Sequence, residues 1–428
     1  MRKSILLCAG VLLGVAAQAQ TARKLTVNLT SDGAANMQVF LPQSPTGRAI
    51  VGCPGGGYSH LSMQNEGTDW AEYFNRQGIA YCVLTYRMPK GDRSLPMSDA
   101  QNAIRIVRDS AVAWRVNPYD VGIMGFSAGG HLASTTATHA PIEARPDFQI
   151  LFYPVISMDE RVTHKGSVVN FLGDGRRDDK LVKEFSNDRR VRRHQTPPAF
   201  IVMAGDDRAV PPLTNGLPYY VALRKAGIPA AMHIYPSGGH GFGFRSSFAY
   251  HEQMLCELSA WLGSIKAPAA TARRVACVGN SITDGHGIDM ADVQGYPAQL
   301  QKILGAGYCV RNFGVSGRTL LNHGDRPYMK EKAWVEAKAF NPDIVVIKLG
   351  TNDSKPRNWD NYGKEFAADL QQMVDELKSL PAKPAVYLCC PVASGDARGK
   401  QGDNQIRDSI VVADIMTAYI LPPRARLP

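Results

Sequence analysis

Val121-Gly122-Ile123-Met124-Gly125-Phe126-Ser127-Ala128-Gly129-Gly130-His131 decides how this chain is read. An apolar run over 121–124 leads into a serine flanked by small residues, and a stretch of helical character follows. Small residues at 125, 128 and 129 let the backbone turn sharply from strand to helix, which pushes the Ser127 hydroxyl out at the sheet edge. A hydroxyl is a poor nucleophile at neutral pH, so a site built on it needs an adjacent base that is itself oriented by a third group.

Both partners occur downstream, in loops that follow apolar runs. The base candidate is His240, in Gly238-Gly239-His240-Gly241, where glycines let an imidazole reach across the top of a sheet. His233 and His251 fall inside a strand pattern and a helix pattern, so they are expected to be structural. The acid is Asp206 or Asp207. Asp207 is preferred because it stands three residues before Val210-Pro211, with Asp206 as the alternative. A tetrahedral intermediate also needs backbone N–H donors for its oxyanion. Ala128, next to the nucleophile, is one candidate. Gly56 and Gly57 of Pro54-Gly55-Gly56-Gly57-Tyr58 are the others, with Tyr58 as a neighbouring option. A phosphate cradle is a poorer reading of that loop, since neither G-K-[ST] nor G-x-G-x-x-G is present. Glycine-rich loop, serine turn, acid and histidine thus follow in order, and together they predict acyl transfer from an ester.

Around these motifs, apolar runs at 49–53, 79–86, 121–126, 149–153, 199–204 and 231–235 alternate with helical spacing, as at Ala100, Ile104, Val107, Ala111 and Trp114. The alternation predicts a mostly parallel sheet with helices on both faces. A short Ala/Pro segment at 266–271 follows, and then the pattern restarts with strand candidates at 275–278, 308–312, 344–348 and 385–390. An amphipathic helix carrying Phe366, Leu370, Met373, Val374 and Leu377 precedes the last of them. A length of 428 residues fits two domains, expected at 20–265 and 272–428.

Residues 48–262 resemble the α/β-hydrolase esterases of the acetylxylan esterase kind, relatives of the prolyl-oligopeptidase superfamily. The matching stretches are Cys53–Tyr58, Tyr86-Arg87-Met88-Pro89, 123–131, Tyr153-Pro154-Val155-Ile156, Thr196-Pro197-Pro198 and 238–243. The resemblance implies removal of O-acyl groups from acylated plant polysaccharide or its oligosaccharides, with no cofactor. A feruloyl esterase using the same three residues is the alternative.

The second half resembles the SGNH (GDSL-type) hydrolases, which include sialate O-acetylesterases and rhamnogalacturonan acetylesterases. Gly279-Asn280-Ser281-Ile282-Thr283, Asn312-Phe313-Gly314-Val315-Ser316-Gly317 and Gly350-Thr351-Asn352-Asp353 match the first three blocks of that family. By resemblance Ser281 is the nucleophile, and the Gly317 N–H and Asn352 side chain join Ser281's own N–H at the oxyanion. Asn280 stands where the family commonly has aspartate. The D-x-x-H block that supplies acid and base does not occur after His323, the last histidine of the sequence. The expected fold is therefore an α/β-hydrolase domain followed by an incomplete SGNH domain, flavodoxin-like and three-layered. The expectation is a truncation, by a frameshift near Met416, that leaves Ser281 without a base. The remnant is then silent or retains glycan without turnover. A histidine donated by the first domain or by another chain is the alternative.

Composition bounds the rest. The chain is 44% hydrophobic and 20% charged, with a formal charge of +10 and no low-complexity tract. Arg189, Arg190, Arg192 and Arg193 form one basic cluster, read as solvated surface and not as a nucleic-acid site. Arg2 and Lys3 precede an apolar stretch at 5–17 and then Ala17-Gln18-Ala19, a pattern that predicts a cleaved export signal over 1–19. The stretch is short for a membrane span, and no span is expected elsewhere. The cysteines lack disulfide-framework spacing, and no Cys/His cluster has zinc spacing, so no metal is expected.

Overall fold

The computed structural model describes residues 23–391, 405–407 and 410–415. The export signal expected at 1–19 and the chain end from Met416 onward lie outside the described residues. The first domain is built on one eight-stranded sheet. Its strands are β1 (Arg23–Asn28), β2 (Asn36–Leu41), β3 (Ala49–Cys53), β4 (Ala80–Thr85), β5 (Val121–Phe126), β6 (Gln149–Phe152), β7 (Ala199–Ala204) and β8 (Ala230–Tyr235). They lie in the order β1-β2-β4-β3-β5-β6-β7-β8. β1 and β2 pair antiparallel, as do β2 and β4, and every later pairing is parallel.

Every residue of β3, β5, β6 and β7 is buried. Parallel strands covered by helices on both faces read as unbroken apolar runs, which is why these strands were visible in the sequence. β1 and β2 were not expected. β1 exposes Arg23, Lys24 and Thr26 on an edge, so its pattern alternates and it carries no apolar run. The helix expected through Trp114 is also interrupted: one helix spans Ser94–Asp109 and a single turn covers Ala111–Trp114. The turn ends at Arg115 in a left-handed conformation with φ 55°. An aromatic cluster of Trp70, Phe74, Phe126 and Phe152 packs beneath the Ser127 turn, all four side chains fully buried.

The last helix of this domain, His251–Ser264, is followed by a four-stranded, fully parallel sheet. Its strands are β9 (Arg273–Gly279), β10 (Tyr308–Gly314), β11 (Ile344–Lys348) and β12 (Ala385–Leu388), in the order β10-β9-β11-β12. The helix Phe366–Lys378 buries Phe366, Leu370, Met373, Val374 and Leu377 against this sheet. That is the apolar stripe the spacing predicted. Among the described residues no helix is long and apolar enough to cross a membrane.

Candidate active site

Ser127 sits between β5 and the helix Ala128–His139 with φ 52° and ψ −119°. That backbone is strained for a non-glycine residue and persists only where its surroundings impose it. Here the surroundings are close-packed backbone. A Cβ added at Gly129 would lie 2.1 Å from the carbonyl oxygen of Cys53, and one at Gly125 would lie 2.2 Å from that of Gly129. Only hydrogen at these positions lets the helix start against the end of β3.

The loop after β7 brings Asp207 to the site, and the loop after β8 brings His240. His240 Nε2 lies 2.8 Å from Ser127 Oγ, and His240 Nδ1 lies 2.7 Å from Asp207 Oδ2. The other oxygen of Asp207 accepts from the N–H groups of Ala209 and Val210, both at 2.9 Å. Asp207 is thus fixed by its own loop and aims one oxygen at the imidazole. As an acceptor-only carboxylate it places the ring proton on Nδ1, which leaves Nε2 free to accept from the serine hydroxyl. The Asp207 side chain is fully buried, while that of His240 is 26% exposed, so the site opens on the histidine side. Asp206 is exposed and accepts instead from Gly239 N at 2.8 Å, holding the histidine loop without touching the ring. Its pKa is lowered, chiefly by that backbone hydrogen bond.

The glycine-rich loop follows β3. Gly56 has φ 130°, and a Cβ there would lie 2.1 Å from the carbonyl oxygen of His60, so the tight turn requires glycine. The carbonyl of Gly56 accepts from the N–H of Ser59, and that of Gly57 accepts from Asn170 Nδ2 at 2.8 Å. Among the described residues the N–H groups of Gly56, Gly57 and Ala128 meet no acceptor, which leaves them available to an oxyanion. Tyr58 is buried and bonds His131 Nδ1 at 2.9 Å, while His131 Nε2 donates to the Phe185 carbonyl at 2.8 Å. Burial lowers the His131 pKa to about 4, so this ring stays neutral and serves as a prop for the loop. Sequence reasoning missed Glu66, a buried carboxylate packed under the same loop. A lone glutamate in a polar stretch carries no sequence signal of burial.

The second candidate site is arranged differently. Ser281 opens a short helix after β9, and Asn280 caps it by accepting from Ile282 N at 3.2 Å. Gly317 has φ 80°, and Asn352 Nδ2 donates to the Arg318 carbonyl at 3.0 Å. Among the described residues no hydrogen bond joins Ser281 Oγ to an imidazole. One histidine of the first domain does enter this region, but it does not reach the serine. His194 is bonded through Nδ1 to Asp292 and through Nε2 to Asp284 Oδ1 at 3.0 Å, so both ring nitrogens are occupied.

Among the described residues no group of three or more His, Cys, Asp or Glu side chains is placed to hold a metal ion. The seven described cysteines are free thiols.

Residues 50–244 match the family described as alpha/beta hydrolase fold, and residues 277–413 match the GDSL-like Lipase/Acylhydrolase family. The chain is 54% identical over 429 residues to an acetylxylan esterase of Xylanibacter ruminicola, covering 96% of this chain and 89% of that protein. It is 36% identical over 203 residues to endo-1,4-beta-xylanase B of Butyrivibrio fibrisolvens, covering 44% of this chain and 31% of that one. Among solved structures, the acetyl ester-xyloside bifunctional hydrolase from Caldicellulosiruptor lactoaceticus is similar to the first domain. It aligns with a TM-score of 0.53 at 32% identity, over 57% of this chain and 97% of that chain. On a likeness that runs through both domains, the chain belongs to the acetylxylan esterase family.

Proposed function

We propose that this protein removes O-acetyl groups from xylan-type polysaccharide or its oligosaccharides, through an acyl-enzyme formed on Ser127. The observation that carries the reading is the continuous relay from Ser127 Oγ through His240 to Asp207, with links of 2.8 and 2.7 Å. Ser127 attacks the ester carbonyl while His240 Nε2 takes its proton. The oxyanion is held by the N–H groups of Ala128, Gly56 and Gly57. His240 then protonates the departing sugar oxygen, and Asp207 stabilises the imidazolium in between. Water, activated by the same imidazole, releases acetate and restores the serine.

Xylan is supported as substrate by the relative at 54% identity, which is itself an acetylxylan esterase. Export is supported by the charged, apolar and small-residue pattern over 1–19. The second domain is proposed to add no turnover, because Ser281 meets no base among the described residues. Without one its hydroxyl keeps an alcohol's high pKa.

The test is acetate release from acetylated xylan, compared with ferulate release from methyl ferulate. Wild-type protein and Ser281→Ala are expected to release acetate equally, and Ser127→Ala to lose on the order of 10⁴-fold or more in rate. Hydrolysis of methyl ferulate alone would contradict the acetyl assignment. A distinct deacetylase activity lost in Ser281→Ala would show a second working site.

A further inference from the structure

Glu66 lies on the short helical turn Gln64–Thr68 and is 5% exposed. One carboxylate oxygen, Oε2, accepts from the N–H of Gly55 at 2.9 Å. Gly55 is the first glycine of the glycine-rich loop, and a Cβ placed on it would lie 3.0 Å from Ser127 Cβ. The other oxygen, Oε1, accepts from the Tyr153 hydroxyl at 2.8 Å. Tyr153 in turn accepts from the N–H of Gly243 at 2.9 Å, in the loop that carries His240. Its ring also packs edge-on against the His240 imidazole, with centroids 4.9 Å apart. The neighbouring Asn65 holds the same loop, donating to the Gly241 carbonyl and accepting from Phe244 N, both at 3.1 Å.

Because both oxygens accept hydrogen bonds, the geometry suits the ionised form of Glu66. Burial raises its pKa, opposed by the bonds from Tyr153 and Gly55 and by the charges of His240 and Arg245. Tyr86 is a further titratable group facing it. His240 is faced by Asp207, Ser127, Tyr153 and His164. Among the described residues Asp207 is the carboxylate bonded to the imidazole, and the charge of Glu66 interacts with it from beyond contact.

We propose that Glu66 is a positioning residue for hydrolysis at Ser127: its carboxylate braces the loop bearing the oxyanion amides against the loop bearing His240, and supplies a second negative charge near the imidazolium formed during acyl transfer. The inference rests on the reading of Ser127, His240 and Asp207 given above. A misplacement of about 1 Å at such a site lowers rates on the order of 10²-fold, so a brace shared by two loops acts on kcat more than on substrate binding.

The test uses the full chain with p-nitrophenyl acetate, reading kcat, KM, the pH dependence of kcat/KM and the thermal midpoint. Glu66→Gln keeps the shape of the side chain while removing the charge and one acceptor. It is expected to lower kcat about 10- to 100-fold with KM within about threefold, and to move the acidic limb of the profile to lower pH. Tyr153→Phe cuts the link to Gly243 but leaves the carboxylate and its bond to Gly55. It should lower kcat about 3- to 10-fold with the acidic limb unmoved. Ser127→Ala run alongside separates the two claims. If it retains hydrolysis, the underlying reading fails. If it is inactive while Glu66→Gln keeps both kcat and the limb of wild type, only the role of Glu66 is overturned. A loss in Glu66→Gln that tracks lost folding, with the limb unmoved, overturns it equally. Should Glu66→Gln not fold, a fully active Tyr153→Phe does the same.

Discussion

Asp206 and Asp207 are neighbours of identical chemistry, yet backbone direction gives them separate tasks. Asp207 is buried with its oxygens divided between its own loop and His240, whereas Asp206 stands in solvent and pins Gly239. Replacing Asp207 by Asn puts an amide against the imidazole Nδ1 and removes the charge that stabilises the imidazolium. A loss in kcat on the order of 10³- to 10⁴-fold is expected, with KM nearly unchanged. Asp206→Asn retains an acceptor for Gly239 and should stay within about threefold of wild type. Measuring kcat for both variants on one ester checks this, and equal losses would contradict the division of roles. At this scale the sequence was legible where chemistry leaves a local mark. Ser127 is flanked by residues small enough for a sharp turn, and His240 lies among glycines. It was illegible at Glu66, whose partners Gly55, Tyr153 and, through Tyr153, Gly243 converge only in the folded chain.

Among elements, legibility followed burial. β3, β5 and β7 are apolar throughout because helices cover both sides of the sheet, so each stood out as an uninterrupted run. β1 and β2 lie at an antiparallel edge. There β2 alternates half-buried and buried residues and β1 is largely exposed, so neither carries the unbroken apolar run by which the central strands were read. The break between Asp109 and Ala111 was hidden for a different reason. Ala100, Ile104, Val107 and Trp114 are all buried, so the apolar spacing runs on through both helical pieces and does not mark the break between them. The active-site loops all leave the C-terminal ends of parallel strands, which is where this topology gathers its ligands. The order of β3, β5, β6, β7 and β8 across the sheet therefore puts the glycine-rich loop, Ser127, Tyr153, Asp207 and His240 in sequence along one rim.

In the whole molecule the two domains meet through polar contacts. Arg145 pairs with Glu336 and Arg311 with Asp147, both at 2.9 Å, and His194 is clamped between Asp284 and Asp292. A cavity of about 550 Å³ remains between them, with Arg145, Arg193, His194 and Arg311 among its lining residues. Burial alone would lower the His194 pKa, but hydrogen bonds and charges from Asp284 and Asp292 outweigh it and raise it to about 9, from an ordinary 6.5. A shift of this size corresponds to about 3 kcal/mol. The sign follows from which state releases its proton first. Below pH 6.5 the docked and released forms both hold the proton and the contribution is complete; as pH rises through about 9 the contribution is lost. Hydrogen exchange over 281–295 should therefore quicken between these limits in wild type and already be fast, with little pH dependence of this origin, in His194→Gln. Identical profiles for the two proteins would contradict the clamp. None of this could be read from sequence, because the clamp joins residues about ninety positions apart across a domain boundary.

Turnover is proposed to belong to Ser127 and not to Ser281, and covalent labelling can tell the two serines apart. A fluorophosphonate reacts with a serine only when a base and an oxyanion hole activate it. Incubation with the full chain, followed by peptide mapping, is predicted to give one adduct, on Ser127, in step with loss of acetate release. An adduct on Ser281 that accompanies inactivation, with Ser127 unmodified, would contradict the account.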